Sequence, residues 1–334
     1  VRWSVTVDDV EFADLTFRVE GGGYRDATKP SFGVGEDNLI PVYRYDAPDI
    51  VGTSGVLEEP GQRIEAILLP DNIDTRRGSV DVQISASLAA AMIDALEAQN
   101  EDFADFVCAS TVIDRLLPNT ATARAITELN LDETTLLKEL DEQIMVDISR
   151  LEGLVKSDGG WGWCYSPESQ PWLTAYGLLA LTKAEEAGYS VKADVLSRAT
   201  SYLQRQLRDA DGLDQPHLAN RQAFFLYVLA ERDVDVVDEA NALFDEQRGL
   251  LDPYAKAFLI LAYEANAFVG ENQATLLADL NDAAIFSATG AHWEDARPDW
   301  DNLNSDVRGT AIVLSALALT QPDAPFAPQT VNWL

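Results

Sequence analysis

Apolar and polar positions alternate with a period of two over the first quarter of the chain, then shift to a helical period near residue 85. Trp3, Val5 and Val7 alternate with Ser4 and Thr6, and Leu15, Phe17 and Val19 with Thr16 and Arg18. Both runs predict strands. Leu39 to Tyr45, Ile64 to Leu69, and Val80, Val82 and Ile84 predict further strands. Gly21-Gly22-Gly23 and Lys29-Pro30 mark turns between them. Residues 1–85 therefore read as an all-β segment of sandwich type, and no catalytic cluster falls within it.

From residue 86 the apolar spacing is helical, with Leu88, Met92, Ala95 and Leu96 on one face. Four later segments share a phrase in which an alanine is followed by bulky apolar residues. They begin Thr174-Ala175, Gln222-Ala223, Lys256-Ala257 and Thr310-Ala311, and the alanines recur at intervals of 48, 34 and 54 residues. Each interval suits one helical hairpin with its loops. Such helices are apolar around most of their girth, as an inner layer enclosed by an outer one must be. Pro171 and Pro253 fit first-turn positions, where the missing N–H costs nothing. Gly188 can supply the left-handed residue that ends the helix after Pro171. The expected fold class is α+β and multidomain: the β segment over 1–85, then an α/α toroid over 86–334 that stops before its last hairpin.

Charge narrows the partners. The 334 residues carry 56 acidic against 24 basic side chains, a net charge of −32. Nucleic acid and anionic lipid are poor partners for such a surface, since both need clustered Lys and Arg. No apolar run approaches the roughly 20 residues of a membrane helix. The N-terminus reads as a strand already under way rather than as a signal peptide. With no initiator Met, the sequence is expected to be a piece of something longer. Two cysteines make neither a disulfide framework nor a Cys-based zinc site. A Cys108–Cys164 bridge would suit an oxidising compartment, and two free buried thiols explain the count as well.

Candidate chemistry is sparse. Asp158-Gly159-Gly160-Trp161-Gly162-Trp163 precedes Pro171-Trp172-Leu173-Thr174-Ala175-Tyr176. Taken alone, the first run is a loop that seats an aromatic ring over the next helix start. His292-Trp293-Glu294-Asp295 offers an imidazole and two carboxylates, but a metal site would need ligands from elsewhere; a solvated loop is the plainer reading. No metal or cofactor is expected. Cys108 on an apolar helix behaves as a small core residue unless a base lies beside it.

Read in order, these runs resemble the bacterial alpha-2-macroglobulin family. The stretch Cys108-Ala109-Ser110-Thr111 through Arg115-Leu116-Leu117-Pro118-Asn119 is similar to the segment that carries the family's internal thioester. There a Cys-x-Glu-Gln opens a helix, with an Arg seven residues after the Cys. The Asp-Gly-Gly-Trp phrase, Asn220-Arg221-Gln222, Asp252-Pro253-Tyr254 and the 287–311 region resemble later parts of the same domain. Leu39 to Tyr45 and 71–74 resemble the macroglobulin/CUB-like β segment before it. The thioester pattern is degenerate: Ser110 and Thr111 stand where Glu and Gln are required, and Thr111 has no carboxamide to acylate Cys108. His217 lies roughly where the family's assisting histidine falls, although an ordinary loop histidine explains it as well.

The resemblance implies part of a secreted, periplasmic or cell-envelope endopeptidase inhibitor, not an enzyme. Its partners would be proteases, engaged through regions outside this sequence and trapped non-covalently because the thioester is lost. Two other readings share the fold. A carbohydrate-active toroid enzyme would need two carboxylates facing each other across an open mouth, roughly 6.5–9.5 Å apart for inversion. A structural or adhesive extracellular module would need no site at all.

Overall fold

The structure is a computed structural model. It describes residues 4–8, 10–43, 51, 53, 55, 57, 61–69, 79–82, 84, 108–130, 134–287 and 290–334. The chain divides into two units, Val1–Gly52 with Ile67–Asp71, and Thr53–Ala66 with Asn72–Leu334.

The first unit contains two antiparallel ribbons. Strand β1 (Phe12–Ala13) pairs with β4 (Ile40–Pro41), and β2 (Phe17–Gly21) pairs with β3 (Tyr24–Thr28). Gly21 faces Tyr24 in the register, so the loop of the second ribbon is Gly22-Gly23. Both residues have positive φ, 59° and 86°, which a two-residue turn matching the strand twist requires. The expected sandwich is not formed by the described residues. Residues 4–8, 64–69 and 79–82 are unpaired and exposed, and only Ile40–Pro41 of the 39–45 run is a strand. A two-residue alternation states that a strand could have one buried face; it supplies neither the ladder partner nor the covering sheet. Residues 44–45 and the helical face of Leu88, Met92, Ala95 and Leu96 lie outside the described residues.

The second unit is helical. Its helices are α1 (Ala109–Glu128), α2 (Thr134–Leu154), α3 (Pro171–Glu186), α4 (Ala193–Gln204), α5 (Pro216–Ala230), α6 (Val237–Gln247), α7 (Pro253–Ala265), α8 (Glu271–Asp282), α9 (Asp306–Thr320) and α10 (Ala327–Trp333). A short hairpin, β5 (Ile285–Ser287) and β6 (Gly290–His292), precedes α9. Helices α1, α3, α5, α7 and α9 pack side by side in that order, and α2, α4, α6 and α8 each lie against the odd-numbered helix of their own pair. The repeated alanine phrase marks the inner row. In α5, Ala219, Ala223, Phe224, Leu226, Val228 and Leu229 are all buried, whereas outer α4 buries one stripe, Val195, Leu196, Ala199, Tyr202 and Leu203. This is the sequence contrast between all-round and one-sided apolarity made into two layers.

The helix ends follow local rules. Pro171, Pro216 and Pro253 all sit in the first turn of an inner helix. At the far end of α3, the N–H of Gly188 donates to Glu185 O (3.0 Å) and that of Tyr189 to Ala184 O (3.0 Å). This pair of bonds is a Schellman closure, with Gly188 in the left-handed region. Helices α5 and α7 close with the same two bonds through Asp233 and Ala267.

Candidate functional site

Helix α1 begins at the segment Cys108-Ala109-Ser110-Thr111. Cys108 is the N-cap residue, with extended backbone angles. Thr111 occupies the third helical position: its Oγ1 accepts the Cys108 N–H (3.2 Å) and donates to Cys108 O (3.0 Å). The hydroxyl does the work that a Glu or Gln does in a capping box. Ser110 Oγ lies 3.3 Å from Cys108 Sγ. The sulfur itself is bonded to Cys164, whose Cα lies 5.3 Å from that of Cys108. Two turns on, Arg115 makes a forked ion pair with Asp147 of α2, Nε to Oδ2 at 2.7 Å. Composition gave no sign of Asp147, one carboxylate among many.

The bridge ties α1 to the loop between α2 and α3. Asp158 Oδ1 accepts from Gly160 N (3.1 Å) and Ser169 Oγ (2.8 Å), folding the loop on itself. Burial alone would raise the Asp158 carboxyl, but these bonds outweigh it and hold it below the usual range. Gly159 has φ +94°, and a Cβ there would stand 2.6 Å from Arg198 O. Trp161 then enters the core. Its Nε1 donates to Leu151 O (2.8 Å), and its backbone N–H donates to Thr174 Oγ1 (2.9 Å). The 290–310 region repeats the arrangement: Trp293 Nε1 donates to Leu280 O (2.7 Å) and Trp293 N to Thr310 Oγ1 (3.1 Å). Gln222 grips the backbone of Arg208 from the equivalent place in α5. At three of the four repeats the residue before the alanine is thus a clamp on the preceding loop; the fourth, Lys256, pairs instead with Asp279 of α8 (2.9 Å). Recurrence of Trp upstream of Thr-Ala, at 161/174 and 293/310, is the signal in the sequence that marks this arrangement. The Asp158–Trp161 run has this structural task.

Trp163 and Trp172 stack with centroids 6.1 Å apart, and Trp172 meets Tyr176 at 4.5 Å. The run continues through Phe224 and Phe258 on α5 and α7. Arg308, from the first turn of α9, lies over the rings of Tyr176, Tyr254 and Phe258 and donates through Nε to Tyr176 Oη (2.8 Å). Burial raises the Tyr176 hydroxyl pKa against the opposing charge of Arg308. These contacts link α3, α5, α7 and α9 through rings and a guanidinium. Asp299 beside them is saturated: Tyr254 Oη (2.6 Å), Asn220 Nδ2 (3.0 Å) and Asn302 Nδ2 (2.8 Å) all donate to it. Burial would raise its carboxyl, and those bonds hold it low instead. A fixed acceptor of this kind is not a poised acid.

The two histidines do other things. His217 is not in a loop: Pro216 starts α5, so His217 falls in its first turn, where its carbonyl accepts from Asn302 Nδ2 (2.8 Å). Among the described residues no hydrogen bond links it to Cys108. His292 is buried, with Nε2 3.1 Å from Glu294 and its ring stacked on Trp333 of α10 at 4.5 Å. Asp295 accepts from Asn304 Nδ2 at 2.5 Å. No group of three His, Cys, Asp or Glu side chains able to hold a metal occurs among the described residues.

Asp295 gives a pH dependence. Burial, reinforced by the neighbouring Asp252, Asp299 and Asp306 charges, pushes its carboxyl up to about 6. An unfolded aspartate releases its proton near pH ~4. Between these values the folded state holds the proton and the unfolded state does not, so stability falls as pH rises through the window. Asp295→Asn is expected to remove that fall. Midpoints of thermal unfolding for the two proteins should agree at pH 4 and diverge by pH 7, with the variant higher. Parallel curves would refute the assignment.

No family model matches the chain. It is 35% identical over 79 residues to the alpha-2-macroglobulin of Escherichia coli (strain K12), covering 23% of this chain and 5% of that protein. It is 25% identical over 169 residues to that of Thermotoga maritima, covering 48% and 10%. The chain contains an alpha-2-macroglobulin-family region. It spans a small fraction of the length of these relatives. The fold agrees with solved structures. Salmonella alpha-2-macroglobulin reacted with methylamine superposes at TM-score 0.56 and 20% identity, over 73% of this chain and 16% of that one. Trypsin-activated Escherichia coli alpha-2-macroglobulin superposes at 0.52 and 21%, over 68% and 15%.

Proposed function

We propose that this chain is the degenerate thioester-domain region of an alpha-2-macroglobulin-like endopeptidase inhibitor, comprising the β segment of residues 1–85 and an α/α toroid. It holds a protease by enclosure and non-covalent contact, with no acyl bond to it, in a secreted, periplasmic or cell-envelope setting. One observation carries the reading: at the place of the family's Cys-x-Glu-Gln, Thr111 is spent on the cap of α1 and the Cys108 sulfur is joined to Cys164. Neither an electrophilic carbonyl nor a free thiol stands there. The saturation of Asp299 by Tyr254, Asn220 and Asn302 speaks against the enzyme reading, which needs facing carboxylates free to take up and release a proton. No helix among the described residues is long and apolar enough to cross a membrane.

Salmonella alpha-2-macroglobulin has been reacted with methylamine, and the same reagent tests this chain. Treatment is expected to add no mass to the Cys108–Thr111 peptide and to release no thiol. A methylamide at position 111, or a thiol freed in proportion to amine, would overturn the reading.

A further inference from the structure

The thioester reading leaves the Cys108–Cys164 bridge without a task, and its two ends differ. Cys108 is 7% exposed and caps a 20-residue helix. Cys164 is partly exposed on the loop between α2 and α3, flanked by exposed Trp163 and Tyr165. A thiolate approaching from solvent therefore meets the Cys164 sulfur first. The departing sulfur would be that of Cys108, and two features receive its charge. The α1 N-terminus presents the positive end of its dipole. Ser110 Oγ lies 3.3 Å from Sγ and can donate to it. Exchange is faster when the leaving sulfur is the better stabilised thiolate. On the loop side, the Lys156 ammonium is held by Ser166 O (2.6 Å) and Glu168 O (2.8 Å), the carbonyls two and four residues after Cys164.

We propose that the bridge is an exchangeable disulfide that takes a thiolate from a second molecule at Cys164 and releases Cys108. The attacking sulfur bonds to Cys164 Sγ, the Sγ–Sγ bond breaks, and its electron pair stays on Cys108. One disulfide replaces another, so no oxidant or reductant is consumed. The acceptor class is a thiol, and exposed Trp163 and Tyr165 favour one carried on an apolar segment. This does not depend on protease trapping: enclosure needs no bond, and only a thiol-bearing partner would be tethered.

The test uses the oxidised chain under native conditions with glutathione as the probe thiol. Samples are quenched with N-ethylmaleimide and mapped by peptide mass spectrometry. Glutathione is expected on Cys164 and maleimide on Cys108, in at least ~10-fold excess over the reverse pattern. Ser110→Ala, which leaves both cysteines in place, is expected to slow the exchange about threefold or more. Equal labelling, glutathione chiefly on Cys108, an unaltered rate in Ser110→Ala, or a bridge that opens only in denaturant would each overturn the proposal. Methylamine does not report on this chemistry, so its outcome leaves the exchange result independent.

Discussion

Arg115→Met is expected to lower the unfolding free energy by about 3–5 kcal/mol. The reason is what the substitution leaves behind. The Asp147 side chain is fully buried and that of Arg115 only 8% exposed. The guanidinium grips both carboxylate oxygens, Nε to Oδ2 at 2.7 Å and Nη2 to Oδ1 at 2.5 Å. Once it is gone, Asp147 keeps Gln143 Nε2 at 3.0 Å and the Nη1 of Arg150 at 3.6 Å. A neutral amide and a more distant cation do not replace a forked contact in a dry site. Arg115→Lys keeps the charge but loses the fork, and should fall between wild type and Arg115→Met. The double variant Arg115→Met/Asp147→Leu separates a costly orphan from a costly loss of attraction. If the cost is the orphaned carboxylate, the double variant regains most of the stability. Urea unfolding followed by far-UV circular dichroism gives the three differences. An Arg115→Met protein within about 1 kcal/mol of wild type would show that the pair does not hold α1 to α2.

The importance of Arg115 was visible in the chain only through a spacing, seven residues after Cys108. Its partner was not visible at all. With 56 acidic residues, no acidic position stands out by type, and burial is a property of three dimensions. The inner helices were the opposite case. Pro171, Pro253 and Gly188 act through backbone rules that operate within a few residues, so the start and end of α3 and the start of α7 could be read from sequence. The β runs at 64–69 and 79–84 fail for the complementary reason. Alternation names a face but not a partner, and among the described residues Ile64, Leu68, Val80, Val82 and Ile84 remain exposed. That the Cys108–Thr111 segment lacks a carboxamide was legible in the sequence. That Thr111 would take over the cap required the backbone, because a threonine three residues past a cysteine has many uses.

The sequence also concealed a division of labour inside one phrase. Asp158-Gly159-Gly160-Trp161-Gly162-Trp163 offers two tryptophans that look alike, yet Trp161 is fully buried and Trp163 is 40% exposed. Trp161→Ala is expected to cost about 3–5 kcal/mol. Three losses add in that figure. The ring leaves a cavity between the end of α2 and the start of α3. The Leu151 carbonyl loses its indole donor at 2.8 Å, and it is an end-of-helix acceptor with no intrahelical partner. The close seat on α3 is also emptied: Gly177 is a glycine because a Cβ there would come within 2.9 Å of Trp161 Cε3. That last contact supplies the control. In the Trp161→Ala background, Gly177→Leu places apolar volume back into the space and should recover part of the loss. In wild type the same change collides with the ring and destabilises. Opposite signs for one substitution in two backgrounds are the mark of direct contact. Trp163→Ala removes a surface stacking partner of Trp172 and should cost about 1 kcal/mol. Far-UV circular dichroism during urea unfolding reads every variant without relying on tryptophan emission. Equal costs for Trp161→Ala and Trp163→Ala, or Gly177→Leu destabilising in both backgrounds, would mean that Trp161 is not the plug that joins the second and third helices of this unit.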